Sequence, residues 1–187
     1  MLQRGWIAAG CALGLAGCFA LAQLAWNRNV SAAGELLPVG SKAPDFTLPS
    51  QENTPVTLDQ FRGKWVVLYF YPKDQTSGCT LEAHNFQRDL KKYDALNAVV
   101  LGVSLDTVES HKAFCTKDSL TFKLLADPNR KVVEAYGVPI RSFGPIRYAE
   151  RDTFLISPQG SIVQEWQVKD IQAHSSEVLA AIRAQGK

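Results

Sequence analysis

Trp65 to Tyr71, seven consecutive apolar or aromatic residues, form the most sharply defined stretch of the chain, and their β-branched and ring side chains suit a strand buried on both faces. Pro72 cannot continue a ladder. Asp74, Thr76, Ser77 and Gly78 supply turn and cap chemistry, so the pattern predicts that the chain leaves the strand here and enters a helix. Cys79 then falls at or within the first turn of that helix. Behind it, Leu81, Phe86, Leu90 and Tyr93 recur at helical steps up to Asn97, a natural stop.

The same alternation continues downstream. Ala98–Ser104 reads as a second buried strand, and Asp106 or Thr107 caps a helix that runs to about Ser119. Phe122–Ala126 is a short strand before the Asp127-Pro128-Asn129 turn, and Lys131–Tyr136 is helical with Gly137 as its stop. Arg151–Ser157 and Ser161–Gln167 flank Pro158-Gln159-Gly160 and read as a hairpin, and an amphipathic helix covers about Ala173–Ala184. Upstream, Pro38–Leu48 is a turn followed by a short strand, and residues 56–64 are a strand and one helical turn ending at Gly63. Strands that alternate with helices, then a hairpin and a closing helix, predict an α/β sheet with helices on both faces.

The 187 residues divide by composition into 1–34 and 35–187, and the second part is long enough for one domain with a full core. Net charge is +2 with the charges well mixed, so nothing suggests a nucleic-acid surface. Between Arg4 and Arg28 there is no charge, and Trp6–Trp26 is a 21-residue apolar segment with a tryptophan at each end. Its length and interfacial tryptophans fit an uncleaved membrane anchor. A secretory signal cut after Ala33 or nearer Ala22 is a second reading. Leu15-Ala16-Gly17-Cys18 resembles a lipoprotein signal, although the apolar Phe19-Ala20-Leu21 that follows is unlike the usual polar tether. All three put the remainder outside the cytoplasm, in the periplasm or its equivalent.

The chemistry centres on Cys79. A thiol facing the unpaired N–H groups of a helix start is favoured as the thiolate, and that is how a nucleophile is made. The string Pro72-x-x-x-Thr76-x-x-Cys79, after a buried strand and opening a helix, resembles the active-site loop of the peroxiredoxins. The wider YPKDxTxGCTxEAxxF is similar to the branch called peroxiredoxin Q or bacterioferritin comigratory protein, and GxxAPDFTL near the start of the domain is also similar to the family. Ser77 stands where that branch usually has proline. His84 stands where many members carry a second cysteine.

The resemblance spans residues 35–187 and implies a thioredoxin-like fold and a thiol-dependent peroxidase acting on hydrogen peroxide and organic hydroperoxides. Cys79 would be the peroxidatic nucleophile, Thr76 would turn its hydroxyl toward the sulfur or the peroxide, and Pro72 would shield the thiolate from water. Arg151, in a segment similar to the family's RxTFLI, would supply a cation that cannot lose its charge. Cys115 is the candidate resolving residue for an intramolecular disulfide, 36 positions after Cys79, as in some members of the branch. A core thiol in a one-cysteine enzyme remains the other reading. Recycling would need a thioredoxin-like reductant. No metal or organic cofactor is required, and His84, His111 and His174 are too scattered to form a ligand cluster. The competing function is a membrane-anchored thioredoxin-fold redox or binding module without peroxidase activity. A disulfide reductant of that kind needs Cys-x-x-Cys, and the position three before Cys79 is Thr76.

Overall fold

The computed structural model describes residues 36–185. The apolar segment Trp6–Trp26, Cys18 and the domain boundary at residue 34 lie outside that range. Among the described residues no helix is long and apolar enough to cross a membrane.

Two short antiparallel strands, β1 (Thr47–Pro49) and β2 (Pro55–Thr57), open the domain, and a 3-10 turn, Leu58–Phe61, leads into the sheet. The sheet and its covering elements follow as β3 (Trp65–Phe70), α1 (Ser77–Ala95), β4 (Ala98–Ser104), α2 (Val108–Asp118), β5 (Lys123–Ala126) and α3 (Lys131–Ala135). A hairpin of β6 (Ile140–Phe143) and β7 (Ile146–Ala149) comes next, then β8 (Asp152–Ile156), β9 (Ile162–Gln167) and α4 (His174–Gln185). The main sheet has the order β5-β4-β3-β8-β9, with β3, β4 and β5 parallel and β8 and β9 antiparallel to their neighbours. This is the expected α/β sheet.

β3 is the central strand because both its faces find apolar cover. Val66, Leu68 and Phe70 point into one cluster with Leu58, Val132, Val133 and Tyr136. Val67, Tyr69 and Tyr71 point into the other with Phe86 and Tyr93 of α1, Phe114 of α2 and Val178, Leu179 and Ile182 of α4. A two-residue period thus divides seven apolar residues between two cores.

Three sequence readings change. The helical stripe on α1 was expected to include Leu81, but that side chain is exposed, and Cys79, Glu82, Ala83, Phe86 and Tyr93 form the buried face instead. The polar Glu82 lies inside because a cation meets it there, which no helical wheel records. The strand expected to begin at Arg151 begins at Asp152, although the Arg151 carbonyl still accepts from the Val168 amide at 2.9 Å, so the β8–β9 pairing holds the backbone of Arg151 in place. The β6–β7 hairpin was not foreseen. Its tip residues Phe143 and Ile146 are exposed, so no burial imposes a readable pattern on it.

Candidate active site

Tyr71 extends the β3–β4 pairing by one hydrogen bond from its amide to the Val103 carbonyl (3.1 Å), and Pro72 ends it. The chain then turns through Lys73, the buried Asp74 and Gln75, whose φ of 60° lies in the left-handed region. Thr76 is extended and begins α1, with its carbonyl accepting from the Thr80 amide at 2.9 Å. Its side chain does not behave as expected. The Thr76 hydroxyl donates to the Lys73 carbonyl at 3.0 Å and makes no cap bond to the helix, nor a bond to Cys79. The consequence is useful. No Thr76 side-chain cap occupies the first-turn amides of α1, and the hydroxyl oxygen keeps its acceptor capacity.

Cys79 is the third residue of α1 and is 2% exposed. Register brings Arg151 to it. Phe70 pairs with Asp152 in the antiparallel β3–β8 ladder, so the residue before β8 arrives at the end of β3 from which α1 departs. There the Arg151 guanidinium forks. Nη2 donates to Cys79 Sγ at 3.2 Å and Nη1 donates to Glu82 Oε2. The guanidinium also packs beside Gly78, where a Cβ would stand in ordinary contact at 3.4 Å from Arg151 Nη2.

Glu82 was not recognised in the sequence. It sits three residues after Cys79, on the same helical face, and is 1% exposed. Burial pushes its carboxyl up to about 7 against the pull of Arg151. Glu82 fixes the guanidinium in position, and the remaining nitrogen serves the sulfur. The spacing of three between Cys79 and Glu82, on the helical face that carries the thiol, was the available signal.

Pro72 is half-buried just after Tyr71. Cys115 is buried in α2, and its side chain joins the same apolar cluster as Cys79. Burial, with Asp74 adding repulsion, pushes the Cys115 thiol up to about 12, and both cysteines are free. One thiol is thus bonded to a cation at a helix start, and the other is held neutral. His84 is an exposed helical residue, 3.1 Å from Asp118, as expected of it. His174 is buried, bonds to Thr153 Oγ1 at 2.9 Å, and is pushed down to about 4 by burial and by Arg151. No group of three or more His, Cys, Asp or Glu residues that could hold a metal occurs among the described residues.

Comparison with known proteins shows the family. The profile of the AhpC/TSA family matches residues 39–165. Peroxiredoxin Bcp of Bacillus subtilis is 39% identical over 150 residues, covering 79% of this chain and 96% of that protein. Peroxiredoxin Bcp of Xanthomonas campestris is 40% identical over 146 residues, covering 76% and 91%. Among solved structures, a mutant of Xylella fastidiosa PrxQ superposes with a TM-score of 0.76 at 36% identity, covering 82% of this chain and all of that one. Bacterioferritin comigratory protein of Xanthomonas campestris, studied for alkyl peroxide reduction, superposes with a TM-score of 0.73 at 36% identity, covering 80% and 100%. The fold is therefore thioredoxin-like, as the resemblance implied. Nothing among these relatives supports a module without peroxidase activity.

Proposed function

We propose, from the premise that the chain belongs to the AhpC/TSA family and is a thiol-dependent peroxidase, that Cys79 is its peroxidatic cysteine and Cys115 its resolving one. The observation that carries the reading is the 3.2 Å bond from Arg151 Nη2 to Cys79 Sγ at the first turn of a helix. A guanidinium held by a buried carboxylate keeps its charge and its orientation, and stabilises the thiolate as well as the charge that develops on peroxide oxygen.

In the first step the Cys79 thiolate attacks one peroxide oxygen. The S–O bond forms as the O–O bond breaks, and the leaving hydroxide or alkoxide takes up a proton. Arg151, the Thr76 hydroxyl and the first-turn amides stabilise the charge along the breaking bond. Pro72 keeps bulk water from the sulfur. In the second step the Cys115 sulfur displaces hydroxide from the Cys79 sulfenic acid, releasing water and leaving a disulfide. Two cysteines mutated separately in Xanthomonas campestris peroxiredoxin Q are also 36 positions apart, which supports pairing Cys79 with Cys115. A bridge needs Cα atoms within about 7 Å, so the turns carrying both cysteines open first.

The substrates are hydrogen peroxide and organic hydroperoxides, the latter supported by the alkyl peroxide activity of the Xanthomonas relative. A thioredoxin-like thiol donor closes the cycle. The apolar segment Trp6–Trp26 supports placing the catalytic domain outside the cytoplasm, where that donor is itself exported or membrane-tethered.

Two variants test the scheme. Cys79→Ser should abolish peroxide consumption while the protein stays folded, and turnover above trace level would remove Cys79 from the reaction. Cys115→Ser should oxidise once, stop at the sulfenic acid and over-oxidise at higher peroxide. If it cycles as fast as wild type with a thioredoxin-type reductant, an external thiol resolves Cys79 directly.

A further inference from the structure

A buried polar cluster that the reaction does not use joins the two cysteine-bearing helices. Asp74 lies in the loop between β3 and α1, with its carboxylate enclosed. Tyr71 donates its hydroxyl to Oδ1 at 2.7 Å. Ser110 Oγ donates to Oδ2 at 2.7 Å, and His111 Nδ1 lies 2.8 Å from the same oxygen. A carboxylate only accepts, so Nδ1 carries the hydrogen. His111 is 0% exposed and its Nε2 has no partner, so the ring is held by its Nδ1 side alone. Burial alone would raise Asp74, and the bonds from His111, Tyr71 and Ser110 outweigh it and hold the carboxyl below its ordinary range.

The positions of the two partners give the bond its meaning. Asp74 stands five residues before Cys79, just ahead of the left-handed Gln75 and of Thr76, where α1 begins. His111 stands four residues before Cys115, so the Cys115 amide closes its helical turn on the His111 carbonyl. Cys115 cannot leave α2 without breaking the turn that starts at His111. Cys79 cannot leave α1 without disturbing the turn that Asp74 precedes.

We propose that the Asp74–His111 bond is a latch on disulfide formation: it clamps the turn carrying Cys79 and the turn carrying Cys115 in their closed positions, and its release sets the rate at which sulfenic acid and thiol meet. The inference rests on the assignment of Cys115 as the resolving residue. In that step the S–S bond forms, the S–O bond of the Cys79 sulfenic acid breaks, and the hydroxide leaves with the Cys115 proton as water. While the latch is closed the sulfenic acid waits, exposed to a second peroxide that carries it to sulfinic acid. His111 is then a positioning residue that divides the flux between resolution and over-oxidation.

The test is single-turnover oxidation of the full chain, with tryptophan fluorescence reporting sulfenic acid formation and acid-quench mass spectrometry reporting the disulfide. His111→Gln places its amide near the former Nε2 and cannot reach Asp74, whereas His111→Asn places it near the former Nδ1 and can. Losing one hydrogen bond to a charged group should speed the disulfide step of His111→Gln by about tenfold, and leave the peroxide step within about twofold of wild type. Its yield of sulfinic acid at high peroxide should fall. His111→Asn should behave as wild type, and Ser110→Ala, which removes the other donor to the same oxygen, should act in the direction of His111→Gln by a smaller factor. Equal disulfide rates in all four proteins overturn the latch, and so does an equal change in the Asn and Gln variants, which would mark a merely structural histidine. If the wild type forms no Cys79–Cys115 disulfide, the assignment of Cys115 falls and the latch falls with it.

Discussion

Arg151 meets two partners with two nitrogens, and that fork is a property of guanidinium rather than of positive charge. Arg151→Lys supplies one ammonium for Glu82 and Cys79 together. The rate of Cys79 oxidation should fall by about a hundredfold, the scale for losing one placed donor in a transition state, in a stopped-flow measurement. An unchanged rate would remove Arg151 from the site. A second residue-scale consequence concerns Asp152. Its carboxylate is buried with Oδ2 unpartnered, and burial, with repulsion from Glu150 and Glu165, pushes it up to about 7. Folded protein therefore holds more protons than unfolded protein between the ordinary carboxyl range and about 7, so this group lowers stability as pH rises through that window. Asp152→Asn should raise the melting temperature by a few degrees at about pH 8 and by nothing at about pH 4. A gap of the same size at both would mean that ionisation is not the cause. Cys79 and Arg151 were legible in the sequence because each sits in a local string with a fixed neighbour pattern. Glu82 was not, since the cation that justifies its burial is 69 positions away.

At the scale of elements, β3 and β4 were legible because strands buried on both faces are largely apolar runs, and β8 because it forms a hairpin with β9 around Pro158-Gln159-Gly160. α1 was legible as a helix but not in its rotation, because three of its buried positions, Glu82, Asn85 and Asp89, are polar and satisfied by distant groups. The β6–β7 hairpin was invisible for the opposite reason. Its tip is exposed, so its residues answer to the Gly144 turn rather than to a core. β4 carries a further consequence. A Cβ on Gly102 would stand 2.6 Å from Leu124 Cδ2 and 2.7 Å from Tyr69 Cζ, so the strand has a glycine where the Tyr69 ring crosses it. Gly102→Ala should destabilise the domain by about 1–3 kcal/mol through overpacking, read as a lower denaturant midpoint with an unchanged slope. A neutral result would mean that Tyr69 and Leu124 move aside freely.

For the whole molecule, the sheet order places the strand that leads to Cys79 beside a strand from the far end of the domain. The parallel part of the sheet was readable as strand–helix–strand repeats, but no local pattern states that β8 inserts next to β3, and that pairing is what carries Arg151 to Cys79 across 72 positions of chain. The arrangement has a consequence in time. A helix such as α1 forms on a microsecond scale, whereas closing a long loop to pair β8 with β3 belongs to the slow class of events set by contact order. On dilution from denaturant, helical circular dichroism should return first and peroxide turnover only with the slowest phase; turnover that returned with the helical signal would mean that Arg151 is not needed. Until that last pairing forms, the chain has a thiol without its guanidinium, and a half-folded molecule is spared the oxidation that its finished form is built to undergo.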